Sequence, residues 1–130
     1  MSDNTNISSE VLRQRTKVFA IEIVKLISSF PKNTASFVIG NQICKSGTSV
    51  AANYRAATRG RSDAEFYSKI CICVEEADET VFWLEIIEET GLTQNYDLGF
   101  LKKEANELLS ILASTKKTLK AKQQSKPNNT

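Results

Sequence analysis

QICKSGTSVAANYRAATRGRSDAEFYSKICICVEEADETVFWLEIIEETG, Gln42 to Gly91, is the stretch on which the fold turns. Its spacing predicts two long helices joined by a corner at Arg59-Gly60-Arg61-Ser62. Gly60 is expected to end the first of them in the left-handed conformation, which glycine adopts with no Cβ penalty. Ser62 is placed to cap the second, and Glu65 three residues later completes a capping-box pattern. No Pro or Gly interrupts the chain from Ser62 to Thr90, so at 1.5 Å per residue this helix is a rod of roughly 45 Å closed by Gly91. The rest of the chain reads as material to pack against this hairpin.

Outward from that hairpin, 130 residues with 41% hydrophobic and 25% charged side chains suit one soluble globular domain. Two prolines and five glycines leave few turns, which favours a few long helices. The first helix is expected from Ser8 or Ser9 to just before Pro31, with a seam through Leu12, Thr16, Phe19, Ile23, Leu26 and Phe30. Val18, Ile21, Val24 and Ile27 fall outside that seam. They widen the apolar arc beyond the roughly 100° that one core face needs. The second helix should start between Asn33 and Ser36, with core residues Ile39, Ile43, Val50 and Tyr54. A polar stripe, Gln42, Ser46, Ser49 and Asn53, runs beside them, and is either a close helix contact or a recognition face.

The third helix has a core stripe of Phe66, Ile70, Cys73, Val74, Ala77, Val81 and Leu84. Ile72, Trp83 and Ile86 project to nearly the opposite side, among carboxylates. With Val18, Ile21, Val24 and Ile27 they are the candidate subunit interface. For Trp83 the alternative is that the first or last helix folds over it within one subunit. The fourth helix, capped by Asp97 or Asn95, carries a heptad of Leu98, Leu101, Ala105, Leu108, Leu112, Thr115 and Leu119. Four helices with short connections form an antiparallel up-down-up-down four-helix bundle, an all-α fold expected to assemble into a homo-oligomer. The bundle is expected over residues 9–122, between a disordered start at 1–8 and a disordered basic tail at 123–130.

The net charge of +2 is small but unevenly distributed. Ser62 to Gly91 holds nine acids against the single Lys69, and both flanks are basic. The simplest reading is ion pairing between neighbouring helices, with a charged partner second. Arg55 and Arg59, four apart, and Arg61 just beyond are the candidate nucleic-acid-binding residues, by phosphate contact; the alternative is pairing with third-helix carboxylates or plain solvation. With no histidine there is no Ser-His pair or imidazole acid-base group, and no glycine-rich phosphate loop exists. No catalytic residue, metal site, cofactor or small-molecule substrate is expected. Cys71 and Cys73 lie roughly 200° apart around a helix and cannot chelate one ion together. With no signal peptide and no run of roughly 20 apolar residues to enter a membrane, a cytoplasmic protein is expected.

Gln42, Lys45, Ser46, Ser49, Val50 and Asn53, then Arg59 to Phe66, then Val74-Glu75-Glu76-Ala77-Asp78-Glu79-Thr80 with Trp83-Leu84-Glu85, resemble the bacterial four helix bundle protein family. Its members include proteins encoded in intervening sequences of large-subunit (23S) ribosomal RNA genes, often called ribosomal protein-like. Accessory proteins of diversity-generating retroelements are more distant relatives. The resemblance covers about Leu12 to Leu119. It implies a bundle assembling into a homopentamer, with no enzyme activity, and a possible partner in RNA or a nucleic-acid enzyme such as a reverse transcriptase. The relatives of the retroelements bind through basic surface; this chain departs from them in its low net charge and acidic third helix. The other reading is a purely structural homo-oligomeric assembly protein with no nucleic-acid role.

Overall fold

The computed structural model describes residues 7–125, so most of the expected disordered start and most of the expected tail lie outside the described residues. Four helices follow in chain order: α1 (Ser9–Ser28), α2 (Thr34–Thr58), α3 (Asp63–Thr90) and α4 (Gly99–Ser125). Ser8 caps α1 through its side chain, which accepts from the Val11 N–H at 3.2 Å. The helix closes with the Ser29 and Phe30 N–H groups on the Leu26 and Ile27 carbonyls, just ahead of Pro31. Asn33 caps α2 by accepting from the Ser36 N–H at 2.8 Å. Asp97 receives the Gly99 N–H at 2.8 Å and so opens α4.

Both ends of α3 fall where the sequence places them, and one of its two corners is built differently. Gly91 sits at φ 64, with the Gly91 N–H on Glu88 O and the Leu92 N–H on Ile87 O, the closure that a left-handed residue permits. Gly60 does not take that conformation: Gly91 is the glycine with positive φ. What Gly60 provides is room. A Cβ there would sit 3.2 Å from the Ala57 carbonyl oxygen and 3.3 Å from Glu65 Cβ, so the corner is tight rather than left-handed. Ser62 Oγ accepts from the Glu65 N–H at 3.1 Å as a cap should, but the Glu65 carboxylate reaches past Ser62 to the Arg61 N–H at 2.9 Å.

The helix pairs run antiparallel. Ser9 meets Tyr54 across α1 and α2, while Ile23, further along α1, lies against Gly47, earlier in α2. Ser46 meets Thr80 and Val50 meets Cys73 across α2 and α3. Glu88 meets Lys102 across α3 and α4, and Arg15 and Glu22 of α1 meet Glu104 of α4 and Tyr96 in the turn before it. Consecutive helices pack along their length, whereas α1 and α4 share only a short contact.

The core gathers Phe19, Ile23 and Leu26 of α1, Ile43 and Val50 of α2, Ile70, Leu84 and Ile87 of α3, and Leu101, Leu108 and Leu112 of α4. Thr80 and Ile87 join the α3 core although the expected stripe omitted them. Phe66, Val74 and Val81, expected within it, are half-buried at its margin. A helix with neighbours on two sides buries a wider arc than one stripe. Two boundaries also differ: Ile7 already packs against the core, and α4 continues to Ser125, three residues past the expected end.

Candidate nucleic-acid interface

Where α1 begins and α2 ends, the pair of helices leaves a groove of about 510 Å³. Its far boundary is set by Gly47, where a Cβ would lie 3.0 Å from Ile23, so the two backbones are drawn together there. Nearer the chain start, the floor is Thr48, Ala51 and Ala52, small enough to leave space between the helices. The walls are Arg13, Gln14 and Lys17 on α1 and Arg55 and Arg59 on α2. Each wall carries a cation pair at i,i+4, one above the other on its helix face. No carboxylate lines the groove.

Arg13 holds Glu10 in a local ion pair outside it. Lys17, Arg55 and Arg59 have no ion-pair partner among the described residues. Of the expected alternative, pairing of Arg55 and Arg59 with α3 carboxylates is not found among the described residues, while plain solvation matches their exposure. The ion pairs that do cross between helices are elsewhere, Arg15 to Glu104 and Glu107 and Lys102 to Glu88. Ser9 and Tyr54 hydrogen-bond at 3.3 Å beside the groove and tie its two walls. Burial pushes the Tyr54 phenol above its ordinary value, so it stays neutral there.

This arrangement suits a phosphate backbone. Guanidinium groups match phosphate oxygens in paired hydrogen bonds, and four cations converging from two walls concentrate positive potential. Thr48 Oγ1 already donates to the Cys44 carbonyl at 2.6 Å, and no aromatic ring faces the groove, which therefore offers no stacking platform for bases. Among the described residues no cluster of three or more His, Cys, Asp or Glu side chains is placed to hold a metal ion.

A model of the 23S rRNA-intervening sequence protein family matches residues 10–114. The chain belongs to that family. A crystal structure of a protein of unknown function from the S23 ribosomal protein family of Bacteroides thetaiotaomicron VPI-5482 is 32% identical, with a TM-score of 0.76. That match covers 85% of this chain and 99% of the other. No protein of curated function matches. In this family member, then, the groove has to be judged by its own chemistry.

The other candidate residues are scattered. Arg61 is exposed in the α2–α3 corner, outside the groove lining. Val18, Ile21 and Val24 are 42%, 45% and 48% exposed on α1, joined by Val11 at 49%, which lies outside the expected set. Ile27 is half-buried and packs against the core beside Gly40. Ile72, Trp83 and Ile86 are all half-buried, and of the three it is Trp83 that packs against the core. Trp83 packs partly on the subunit's own core, its indole N–H donates to Glu79 at 3.0 Å, and Phe82 meets it edge-on at 4.9 Å. The exposed aromatic of that helix is Phe82.

Of the polar stripe on α2, Ser46 is buried against Thr80 and Asn53 turns back onto Ser49, so its inner part is a helix contact. Arg13, Gln14 and Lys17 are the groove residues that sequence reasoning missed. The available signal was a second i,i+4 basic pair, Arg13 and Lys17, on the helix that must run antiparallel beside Arg55 and Arg59.

Proposed function

We propose that this chain is a non-enzymatic, cytoplasmic binding and scaffold protein that assembles with copies of itself and holds RNA by its phosphate backbone in the α1–α2 groove. One observation carries this: Arg13, Lys17, Arg55 and Arg59 line one groove with no carboxylate among its lining residues. Whether the RNA is free or held by a nucleic-acid enzyme such as a reverse transcriptase, the groove meets the same phosphates. Binding should weaken steeply with salt. Replacing Arg13, Lys17, Arg55 and Arg59 by Gln should flatten the slope of log affinity against log salt by about 3, at roughly 0.7 for each phosphate no longer neutralised. An unchanged slope would remove the groove from the interface.

Self-association is supported by the exposed apolar row Val11, Val18, Ile21 and Val24, a face that a lone bundle leaves in water. The family resemblance puts the number of copies at five. Half-buried Trp83 and Ile86 add apolar area on α3. That same row favours the second reading, a purely structural assembly protein, if the groove binds nothing. Sedimentation separates the claims: a stable monomer at micromolar concentration overturns the assembly, whatever the groove does.

A further inference from the structure

The alternating direction of the helices sorts charge to the two ends of the bundle, although the sequence scatters it. Ser9 against Tyr54 places the start of α1 beside the end of α2. The Arg59–Ser62 corner places the start of α3 there too, and Glu88 against Lys102 sends the end of α4 to the same side. That end gathers Arg13 and Lys17 of α1, Arg55 and Arg59 of α2 and Arg61 of the corner. Lys69 of α3 and Lys116, Lys117, Lys120 and Lys122 of α4 complete ten cations, against the three carboxylates Glu10, Asp63 and Glu65. Arg15, also on this half, is held by Glu104 and Glu107. The opposite half, counted from Phe19 to Ser46 and from Glu75 to Ile111, carries eleven carboxylates against five lysines, with Glu104 and Glu107 at the border where they neutralise Arg15.

Lysines in the last turn of α4 have a structural explanation, since a cation there complements the helix dipole. It reaches only the final turn, where Lys122 sits; Lys116, Lys117 and Lys120 lie before it. None of the four has an ion-pair partner among the described residues.

Resting on the RNA reading above, we infer that the whole basic end, groove and α4 terminus together, is one docking surface, and that RNA meets the bundle end-on with the acidic half turned away. A polyanion approaching from the other end meets net repulsion, so charge fixes orientation as well as attraction. An anionic membrane is the competing polyanion. Of the exposed large apolar side chains among the described residues, Val11 and, at its border, Val18 lie on this half, where a membrane-binding surface would present several at the tip.

The test titrates a labelled RNA hairpin with four forms of the full chain, each checked for helicity by circular dichroism. These are wild type, a groove set (Arg13, Lys17, Arg55 and Arg59 to Gln), an α4 set (Lys116, Lys117, Lys120 and Lys122 to Gln) and a far-end set (Lys25, Lys32, Lys45 and Lys103 to Gln). The α4 set is expected to lose at least tenfold in affinity and to flatten the salt slope, while the far-end set stays within twofold of wild type. An α4 set that binds like wild type, with the groove set impaired, overturns the end-on surface and leaves the groove standing. Equal losses in the α4 and far-end sets reduce the effect to net charge and also overturn it. Wild type that ignores the hairpin at low salt overturns both readings. Tighter binding to vesicles of mixed phosphatidylserine and phosphatidylcholine than to the hairpin assigns the surface to membranes and overturns the inference.

Discussion

Between α2 and α3 the contact is deep and closed by uncharged groups. Thr80 Oγ1 donates to Ser46 Oγ at 2.8 Å with both residues buried, and the Cys73 thiol faces the Val50 carbonyl at 3.7 Å. Between α1 and α4 the contact is short and made by charge near the surface. Arg15 grips Glu104 through two hydrogen bonds, at 2.7 and 3.0 Å, and reaches Glu107 at 3.0 Å, while the Tyr96 hydroxyl donates to Glu22 at 3.3 Å. The first seam holds the bundle by apolar burial, at roughly 25 cal/mol per Å². The second mostly sets where α4 lies, because ion pairs still open to water on one side contribute about 1–2 kcal/mol.

The largest effect should therefore come from α3. Leu84 is fully buried, and Leu84→Ala should cost about 2–5 kcal/mol in urea denaturation at fixed protein concentration. A cost under about 1 kcal/mol would mean that the seam collapses around the missing atoms and is not the close-packed part of the bundle. Cys73 reports the same event. Burial pushes its thiol up to about 12, so at pH 8 the native protein should resist alkylation at this position. In Leu84→Ala, labelling of Cys73 should speed up in step with the loss of stability.

The hydroxyl pair is the next test. Ser46→Ala, Thr80→Val and the double variant form a cycle whose coupling should be about 1 kcal/mol, the usual net worth of one buried hydrogen bond. Each hydroxyl also has a carbonyl to fall back on, Ile43 for Ser46 and Glu76 for Thr80. Zero coupling would show that those local bonds suffice and that the cross-helix bond adds nothing.

These two seams were not equally visible in the sequence. The α2–α3 hairpin was legible because its signals are local: Ser62 as a cap, Gly91 as a stop, Ile70 through Leu84 as a stripe. Its polar stripe was legible as either contact or recognition, and burial of Ser46 required knowing that Thr80 lies opposite. Gly60 was misread because a glycine needed for space looks the same as one needed for positive φ. Half of the groove was visible as Arg55 and Arg59. The other half, Arg13 and Lys17, comes from a helix some forty residues away, and only the antiparallel pairing joins them. The charge sorting at the bundle ends is hidden for the same reason, since it depends on helix direction rather than local composition.

Arg15→Ala probes the charged seam. The expected cost is about 1–2 kcal/mol, because Glu104 is left with little access to water, shrinking at high salt, with α4 still helical by circular dichroism. The Glu104 hydrogen bond, the largest influence on Arg15, raises its pKa, so the charge persists across any practical pH and the effect should be flat with pH. Arg15→Lys should recover only part of it, because the paired geometry needs a guanidinium. A loss as large as that of Leu84→Ala would erase the contrast between the seams.

The smallest effect expected is a gain, at the solvent edge of the α2–α3 seam. Burial lifts the Glu76 carboxyl above its ordinary value, Glu79 and Glu75 add to that by repulsion, and Lys45 of α2 opposes it. A carboxyl raised in the folded state binds its proton more tightly there than in the unfolded chain. Its favourable contribution is fully present below the unfolded value and is lost as pH rises through the folded one. At pH 7 Glu76 is therefore ionised at a cost to the fold. Glu76→Gln removes that charge and should raise the melting temperature at pH 7, by no more than about 0.5 kcal/mol of stability, as for most surface substitutions. The advantage should shrink as pH falls through the carboxylate range, where the wild-type side chain becomes neutral as well. Paired thermal melts at pH 7 and near pH 4 measure it. A wild type that outlasts the variant at pH 7 would mean that Lys45 outweighs the two neighbouring glutamates, and that this edge of the seam, like α1 against α4, is held by charge.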